Sequence, residues 1–342
     1  MRPFLRNFSG RPRPSRPAIL PLCLLVVLPA CARKDPPPPG PPEKVTLAAP
    51  LLPIPSLFHV AHARGYFPAE GLEVTPQPFE YGKLALQSLL DGKADLAISA
   101  DTPVMFAVAS GRRVAVIAVI GTSTKGSAIV ARRDRGIAAP SDLAGKRVGL
   151  ARGTTADFFL ASFLETRGIG REKVTLVDMK PKDLPGAVAS GEVDAVSAFQ
   201  PALENSVQAL GENGVAFFDD TVYSDIFCLS TTPEFADRRP EAVRRVLRAL
   251  LRAETFVRED QAESRRLVAR AISMDPAFLE KLWGTMAFRV TLDQALLVSL
   301  EDQARWAVNA GLVPGKPKPD FLEVVHPEIL RSVRPEAVAI YR

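Results

Sequence analysis

The sequence predicts an α/β protein built as two lobes, each a mixed sheet flanked by helices, and three observations carry this prediction. Short β-type runs alternate with helix-length segments from Val45 to about residue 218, which is typical of βαβ units. The alternation restarts after a stretch bearing Gly and Asp near residue 135. Beyond Phe227, apolar residues recur at helical spacing, so the last third of the chain is predicted to cover a sheet already formed.

The elements of each lobe follow from these patterns, and the 342-residue length exceeds the size at which a single core usually stops growing. The first series is predicted as strands over 45–49, 72–76, 95–99, 114–120 and 127–131, with helices over 56–65, 83–90 and 103–110. The second series has strands over 146–150, 174–177, 194–199 and 215–218, with helices over 155–166, 184–189 and 201–210.

The C-terminal part is predicted to be helical over 240–258, 261–272, 277–287 and 292–310. Pro240 suits a first helical turn, and Thr291 with Gln294 suits a capping box. The economical arrangement forms one lobe from both ends of the folded chain. We therefore assign 45–131 and 225–342 to lobe 1 and 132–224 to lobe 2, with chain crossings near 127–135 and 219–228.

The excess positive charge of the chain is concentrated at its N-terminus. The sequence carries 43 Lys and Arg against 38 Asp and Glu, a net charge of +5 and a pI of 9.2. Residues 1–30 hold five Arg and no acidic residue, so the rest of the chain carries equal numbers of basic and acidic side chains. Basic character placed in this way belongs to targeting, and we predict no nucleic-acid partner.

Residues 1–30 have the parts of a secretory signal peptide. An Arg-bearing stretch precedes an apolar run over 18–28, which is too short to span a bilayer, and Leu-Pro-Ala-Cys follows, ending at Cys31. These four residues resemble a bacterial lipobox, which predicts cleavage before Cys31, lipidation of its thiol, and a protein anchored to a bacterial membrane. Pro29 departs from the usual small residue, so conventional cleavage nearby stays open.

Residues 31–44 are predicted to form a Pro-rich linker between the anchor and the folded part. Cysteine usage agrees with this organisation. Cys23 would leave with the signal peptide, Cys31 would be acylated, and Cys228 would have no partner. No disulfide is therefore expected.

Five segments of the folded part occur in a recognisable order. They are Pro55-Ser56 with Ala63-Arg64-Gly65-Tyr66-Phe67 and Glu70-Gly71-Leu72-Glu73-Val74, then Asp91-Gly92-Lys93-Ala94-Asp95-Leu96-Ala97, Asp142-Leu143-Ala144-Gly145-Lys146-Arg147-Val148-Gly149, Gly191-Glu192-Val193-Asp194-Ala195 and Pro240-Glu241-Ala242-Val243. Together they resemble the substrate-binding proteins of ABC transporters for nitrate, sulfonate, taurine and thiamine-type pyrimidines, the type II periplasmic binding proteins. The resemblance covers roughly 45–332.

The resemblance implies a two-lobed clamshell that binds a small solute between its lobes and delivers it to an ABC permease. The solute is expected to be anionic or heterocyclic, of the nitrate, sulfonate, taurine, bicarbonate or pyrimidine type. We further expect an exported protein, as the signal peptide indicates, which faces the periplasm or the cell exterior and acts as a monomer without a cofactor or a metal.

Loops at the carboxyl ends of strands are where open α/β sheets bind ligands, and the family uses the same loops. Several of them enter helix N-termini, which can hold an anion without a cationic side chain. The candidate ligand-binding residues selected in this way are Pro55, Ser56, Tyr81, Gly82, Asp101, Thr102, Lys125, Gly153, Thr154, Thr155, Phe199, Gln200 and Tyr223.

Two of these groups have a structural alternative. Thr154 and Thr155, after the permissive Gly153, either grip an oxyanion or cap the helix that follows. Asp101, before Thr102 and a Pro, either caps its helix or faces the cleft, in which case the ligand should carry an amine or another donor.

Aromatic and cationic residues of the same loops also have two interpretations. Phe79, Tyr81, Phe199, Tyr223 and Phe227 either form walls for a planar or alkyl ligand or pack in the core. Lys125 and Arg152 are either ligand cations or solvated side chains. Gln200 is neutral where family members often have Trp or a carboxylate, which disfavours a tightly paired cationic ligand.

An enzyme and an adaptor are the alternatives to a transport protein. The same fold family includes a thiamine-pyrimidine synthase that uses His and a Cys-rich motif, and this chain has three His and no Cys cluster. His59 and His62 share a helix face, a geometry that can bind metal, but no third ligand lies nearby in sequence. We predict a protein that is not an enzyme; an anchored adaptor without a solute stays as a further alternative.

Overall fold

A computed structural model describes residue 10 and residues 41–313 and 319–340. The predicted signal peptide, Cys31 and residues 31–40 of the predicted linker lie outside the described residues. The described residues from 41 onward form one compact unit. Among the described helices, none combines the length and the apolar character needed to cross a membrane.

The described chain forms thirteen strands and thirteen α-helices. The strands are β1 Glu43–Pro50, β2 Leu72–Phe79, β3 Leu96–Ala100, β4 Ala115–Ser123, β5 Ser127–Arg132, β6 Arg147–Leu150, β7 Thr175–Asp178, β8 Ala195–Phe199, β9 Gly214–Phe217, β10 Asp225–Thr231, β11 Met286–Ala287, β12 Leu292–Asp293 and β13 Val338–Ala339. The helices are α1 Ser56–Ala63, α2 Tyr66–Ala69, α3 Gly82–Leu90, α4 Asp101–Ala109, α5 Thr155–Glu165, α6 Leu184–Ser190, α7 Ala202–Leu210, α8 Pro233–Arg238, α9 Pro240–Glu259, α10 Gln261–Ile272, α11 Pro276–Trp283, α12 Gln294–Asn309 and α13 Pro327–Val333.

The large lobe is built on a six-stranded sheet of order β11-β4-β10-β3-β1-β2. β1 pairs in parallel with β2 and β3, whereas β10 runs antiparallel to β3 and β4 and β11 runs antiparallel to β4. Helices α1–α4 and α8–α13 cover this sheet, and their apolar faces share one core with it. Helix α9 shows why the C-terminal segments are helical, because its buried positions recur every three or four residues.

The small lobe is built on a five-stranded sheet of order β7-β6-β8-β5-β9, flanked by α5, α6 and α7. β6 pairs in parallel with β7 and β8, and β5 runs antiparallel to β8 and β9. The sequence prediction placed the strand over 127–131 in lobe 1, and this placement is wrong. The strand belongs to the small lobe, because its backbone hydrogen-bonds to β8 and β9 and to no strand of the larger sheet.

Three differences from the sequence prediction concern the large lobe. Strand β10 was missed, because its apolar run of four residues between Asp225 and Ser230 is too short to show a period. The helix predicted over 277–287 ends at Trp283, and Met286–Ala287 instead pairs with the edge of β4. Asp293, not Thr291, caps α12, since its carboxylate accepts a hydrogen bond from the Ala295 amide.

The chain crosses between the lobes twice, at 124–126 and at 218–224. Asp225 at the start of β10 lies opposite Ser123 at the end of β4, so the two crossings leave and enter the large lobe at neighbouring points. The cleft described below lies beside these crossings, because residues 125, 126 and 225 line it.

Candidate functional site

A cleft lined by both lobes lies at the carboxyl ends of β1, β3, β4 and β8 and at the N-termini of α3 and α5. It contains about 550 Å³ of space between atoms, its open mouth included. The residues that line it are Leu52, Pro53, Ile54, Tyr81, Gly82, Lys83, Ala100, Pro103, Ser123, Lys125, Gly126, Thr154, Thr155, Phe199, Gln200, Asp225, Phe227, Leu282, Thr285 and Met286.

The structure brings about half of the candidate residues into this cleft. Those that line it are Tyr81, Gly82, Lys125, Thr154, Thr155, Phe199 and Gln200, and those that do not are Pro55, Ser56, Asp101, Thr102, Gly153 and Tyr223. Phe227, one of the five aromatic residues for which the sequence allows either a ligand-binding wall or the core, also lines the cleft. The contribution of 282–286 was missed, because that segment was predicted to be one continuous helix.

The large-lobe side of the cleft includes the loop 52–54, and two buried polar side chains of α1 donate hydrogen bonds to its backbone. Ser56 Oγ donates a hydrogen bond to the Pro53 carbonyl at 2.6 Å, and His59 Nε2 donates to the Leu52 carbonyl at 3.1 Å. Burial lowers the pKa of His59 to about 4, which keeps the ring neutral. Ser56 and His59 therefore position the loop 52–54 and do not face the cleft.

The small-lobe wall begins where β6 leads into α5. Thr154 occupies the N-cap position of α5, but its hydroxyl donates to the Ala151 carbonyl at 2.7 Å and makes no capping hydrogen bond. Gly153 adopts a left-handed backbone (φ +68°), and its amide is bound by the Asp157 carboxylate, so it lies outside the cleft. Thr155, the first residue of α5, also lines the cleft with its buried side chain.

Aromatic rings from the two lobes lie close together in the lining of the cleft. The ring centroids of Tyr81, before α3, and Phe199, at the end of β8, are 6.3 Å apart. Burial raises the pKa of Tyr81, with further contributions from Glu80 and Asp178. The pair gives the cleft a partly apolar wall for a ring or an alkyl chain.

Cationic side chains lie toward the rim. Lys83 Nζ donates a hydrogen bond to the Arg152 carbonyl at 2.7 Å, which joins the large lobe to the small one. The Lys125 ammonium lies 6.0 Å from the ring centroid of Phe218. Arg152 does not line the cleft.

Asp225 is the acidic side chain of the cleft, and it was not singled out from the sequence. It is 2% exposed and accepts a hydrogen bond from Ser127 Oγ at 3.0 Å. Burial raises the pKa of Asp225 to about 7, hydrogen bonds from Ser127 and Thr155 oppose this rise, and Asp101 adds to it. Its loop neighbour Tyr223 is among the sequence candidates, but Asp225 opens an antiparallel strand, whose start lies at the same edge as the carboxyl ends of its neighbours.

Asp101 is neither a simple helix cap nor a cleft residue, which corrects both interpretations of the sequence. Ala100 occupies the N-cap position of α4, and the Asp101 carboxylate is fully buried behind the cleft. Its four donors are the Thr102 amide, the Tyr223 hydroxyl, Ser299 Oγ and Gln303 Nε2. Burial raises the pKa of Asp101, and these four hydrogen bonds oppose the rise.

The same network places Tyr223 and Thr102 away from the cleft. The Tyr223 ring is packed edge-on against Phe158 of α5, with centroids 5.3 Å apart. Thr102 is fully buried beside Asp101. Both residues therefore belong to the contact between the lobes rather than to the cleft.

An aromatic cluster continues this contact behind the cleft, and we call it the rear joint, formed by Asp101, Tyr223, Phe158, Trp306 and Phe106. Trp306 of α12 packs edge-on against Phe158 of the small lobe and Phe106 of the large lobe, at 5.4 and 5.7 Å. Its ring therefore contacts the cores of both lobes.

The two His on α1 do not form a metal site. His62 stacks on Phe58, while His59 is bound to the Leu52 carbonyl. Within residues 41–313 and 319–340, no group of three or more His, Cys, Asp or Glu side chains is placed to hold a metal ion.

Two mixed sheets, joined by two crossings beside a cleft that both lobes line, define the class of periplasmic binding proteins. The chain belongs to the NMT1/THI5-like family, whose model matches residues 56–264. The fold and the family predicted from the five sequence segments are therefore confirmed.

Individual proteins agree with this assignment. A binding protein of Brucella abortus (strain 2308) is 25% identical over 66% of this chain and 70% of its own length. A Bacillus subtilis (strain 168) protein named for binding aliphatic sulfonates is 25% identical over 65% of this chain and 68% of its own. The structure of the alkanesulfonate-binding protein SsuA from Xanthomonas axonopodis pv. citri, bound to MOPS, has a TM-score of 0.70 at 20% identity, covering 84% of this chain and 99% of that one.

Proposed function

We propose that this protein is the solute-binding component of an ABC-type importer, which captures a small organic solute between its lobes and delivers it to a membrane permease. The observation that carries the proposal is the cleft, which takes its lining from both lobes and lies beside the two crossings. A solute bound there contacts both lobes at once, so it can shift the equilibrium between open and closed arrangements.

The chemistry of the cleft supports an organic solute. Apolar side chains dominate the walls, two Lys lie toward the rim, and the N-termini of α3 and α5 face inward. The relatives named for sulfonates support a sulfonate or a similar small anion or heterocycle as the solute class.

A screen of solutes tests this proposal. Sulfonates, nitrate, bicarbonate, pyrimidines and aromatic acids are added singly, and the melting temperature is followed by thermal shift. A solute that binds the folded state raises the melting temperature with its concentration, and small-angle scattering then shows a smaller radius of gyration. A chain that responds to none of these classes would be an adaptor or an enzyme instead.

We further propose that the mature protein begins at Cys31, is held by a lipid on that cysteine at the outer face of a bacterial membrane, and acts as a monomer. An exported, tethered receptor stays close to its permease. Metabolic labelling with a fatty acid tests the anchor, since the Cys31→Ala variant should lose the label. A natural chain that takes up no label while its precursor is still processed would instead indicate conventional cleavage.

A further inference from the structure

The cleft holds one polar feature that its anion-binding elements do not explain, a carboxylate at its inner end. Asp225 is 2% exposed and lines the cleft, and it is the acidic side chain among the lining residues of the described chain. In its ionised form a buried carboxylate repels an anion and is stabilised by a donor or a cation, so its position favours a partner of another kind.

The partners of Asp225 leave part of its acceptor capacity free. Ser127 Oγ donates to one oxygen at 3.0 Å, and the Thr155 hydroxyl, a second neutral donor, lines the same cleft and opposes the rise in the pKa of the carboxyl. Both donors are neutral, and a carboxylate can accept about four hydrogen bonds. Within the described part of the chain, no Lys, Arg or His forms an ion pair with it, and Lys125 lies instead beside Phe218.

The backbone around Asp225 is shaped to keep this carboxylate in place. A Cβ atom on Gly126 would lie 2.1 Å from Asp225 Oδ2, so Gly at this position leaves the oxygen its room. Because Ser127 and Thr155 belong to the small lobe and Asp225 opens β10 of the large lobe, the carboxylate lies where both lobes meet the solute.

We propose that Asp225 is a specificity-determining residue of the cleft, where its carboxylate accepts a hydrogen bond from an ammonium or other N–H donor at the inner end of the solute. The cleft then takes a solute with a nitrogen donor on an apolar body in preference to a bare oxyanion. This inference rests on the proposed solute-binding function and specifies the chemistry of that site.

Because Asp225 changes its charge near neutral pH, the proposal predicts the direction in which the affinity for a solute changes with pH. Burial raises the pKa of Asp225 to about 7, and the Asp101 carboxylate of the rear joint adds to this rise. The other titratable groups near it are Tyr223, whose own pKa Asp225 helps to raise, and Lys125, which lines the same cleft. Tyr223 stays neutral, because burial raises its pKa well above the usual value. A cationic donor binds the ionised carboxylate, so its affinity should rise with pH up to about 7, whereas an oxyanion should bind more weakly over the same range.

The experiment compares two probes of similar shape, benzylamine and benzenesulfonate, by calorimetry on the full chain. Benzylamine should bind about 100-fold more tightly at about pH 8 than at about pH 5, as a carboxyl with this pKa ionises. The Asp225→Asn variant should lose this slope. The Asp220→Asn variant, an exposed acidic residue in the second crossing, should keep it.

Each result decides the inference. Benzylamine affinity that is absent, or that is the same at both pH values and in Asp225→Asn, overturns it. If benzenesulfonate then binds, the solute-binding function stands without the inference. If no solute of the earlier screen raises the melting temperature either, the function falls as well. Should Asp225→Asn fail to fold, the opposite pH slopes of the two probes on the natural chain still decide the question.

Discussion

Asp101 in the rear joint and Asp225 in the cleft are both buried carboxylates, but they differ in the number of hydrogen bonds that they accept. In the rear joint, Asp101 accepts from four donors drawn from α4, α12 and the second crossing. In the cleft, Asp225 accepts a hydrogen bond from Ser127 of the small lobe, and the Thr155 hydroxyl lines the cleft beside it. A saturated carboxylate ties elements together, while one with unmet capacity beside a cleft is available to a ligand.

The largest effect should come from removing the saturated carboxylate. The Asp101→Ala variant leaves four buried donors without their acceptor and should lower the free energy of unfolding by about 3–5 kcal/mol in urea denaturation. The exposed Asp220→Asn variant should change it by less than about 0.5 kcal/mol. A loss below about 1 kcal/mol for Asp101→Ala would contradict the structural role assigned to this residue.

The next largest loss of stability should come from substituting Trp306, an aromatic residue of the rear joint. Trp306→Ala removes a ring that contacts both cores and should lower the free energy of unfolding by about 3 kcal/mol. Trp306→Phe keeps part of the ring contact and should cost less. If the two variants lose equal stability, the ring is not what joins the lobes.

The Asp225 carboxyl should affect stability in a pH-dependent way. Its pKa of about 7 in the folded state lies above the ordinary value of about 4, so its contribution is complete below about pH 4 and is lost as the pH rises through about 7. From about pH 5 to about pH 8, the natural chain should lose about 2–3 kcal/mol relative to Asp225→Asn. Urea denaturation at both pH values measures this, and parallel changes in the two proteins would show that another group titrates.

The smallest expected effects are those of removing the hydroxyls of Thr154 and Thr155, which should change different properties. Thr155→Val removes a hydroxyl that lines the same cleft as Asp225 and opposes the rise in its pKa, so the affinity for the solute should fall about tenfold with little change in stability. Thr154→Val removes the hydrogen bond to the Ala151 carbonyl and should cost about 1 kcal/mol of stability. Calorimetry and urea denaturation on both variants test the division, which the reverse pattern would overturn.

Most of the architecture was accessible from the sequence, because apolar periodicity and turn residues are local signals. Strand β10 escaped, since a strand buried along its whole length shows no alternation. The strand β5 was found but placed in the wrong lobe, because pairing depends on partners far along the chain.

The candidate site was less accessible than the fold. The loops were found, since the edge of a parallel sheet can be inferred from strand order. Which side chains of those loops face the cleft depends on tertiary contacts, and these turned Asp101 and Tyr223 toward the rear joint. Asp225 belongs to the same loop as the candidate Tyr223, and no local signal in the sequence shows which of these side chains faces the cleft.

Because the chain leaves and re-enters the large lobe at paired residues, the small lobe is an insertion between two neighbouring strands of the large sheet. Ser123 and Asp225 are paired in register, so a two-residue Asn-Gly turn between them could close β4 and β10 into a hairpin and leave the large sheet continuous. The first and last strands of the small lobe, β5 and β9, are also neighbours. Such a chain offers a natural point for exchanging one lobe between relatives, so that one wall of the cleft can be replaced while the other stays in place.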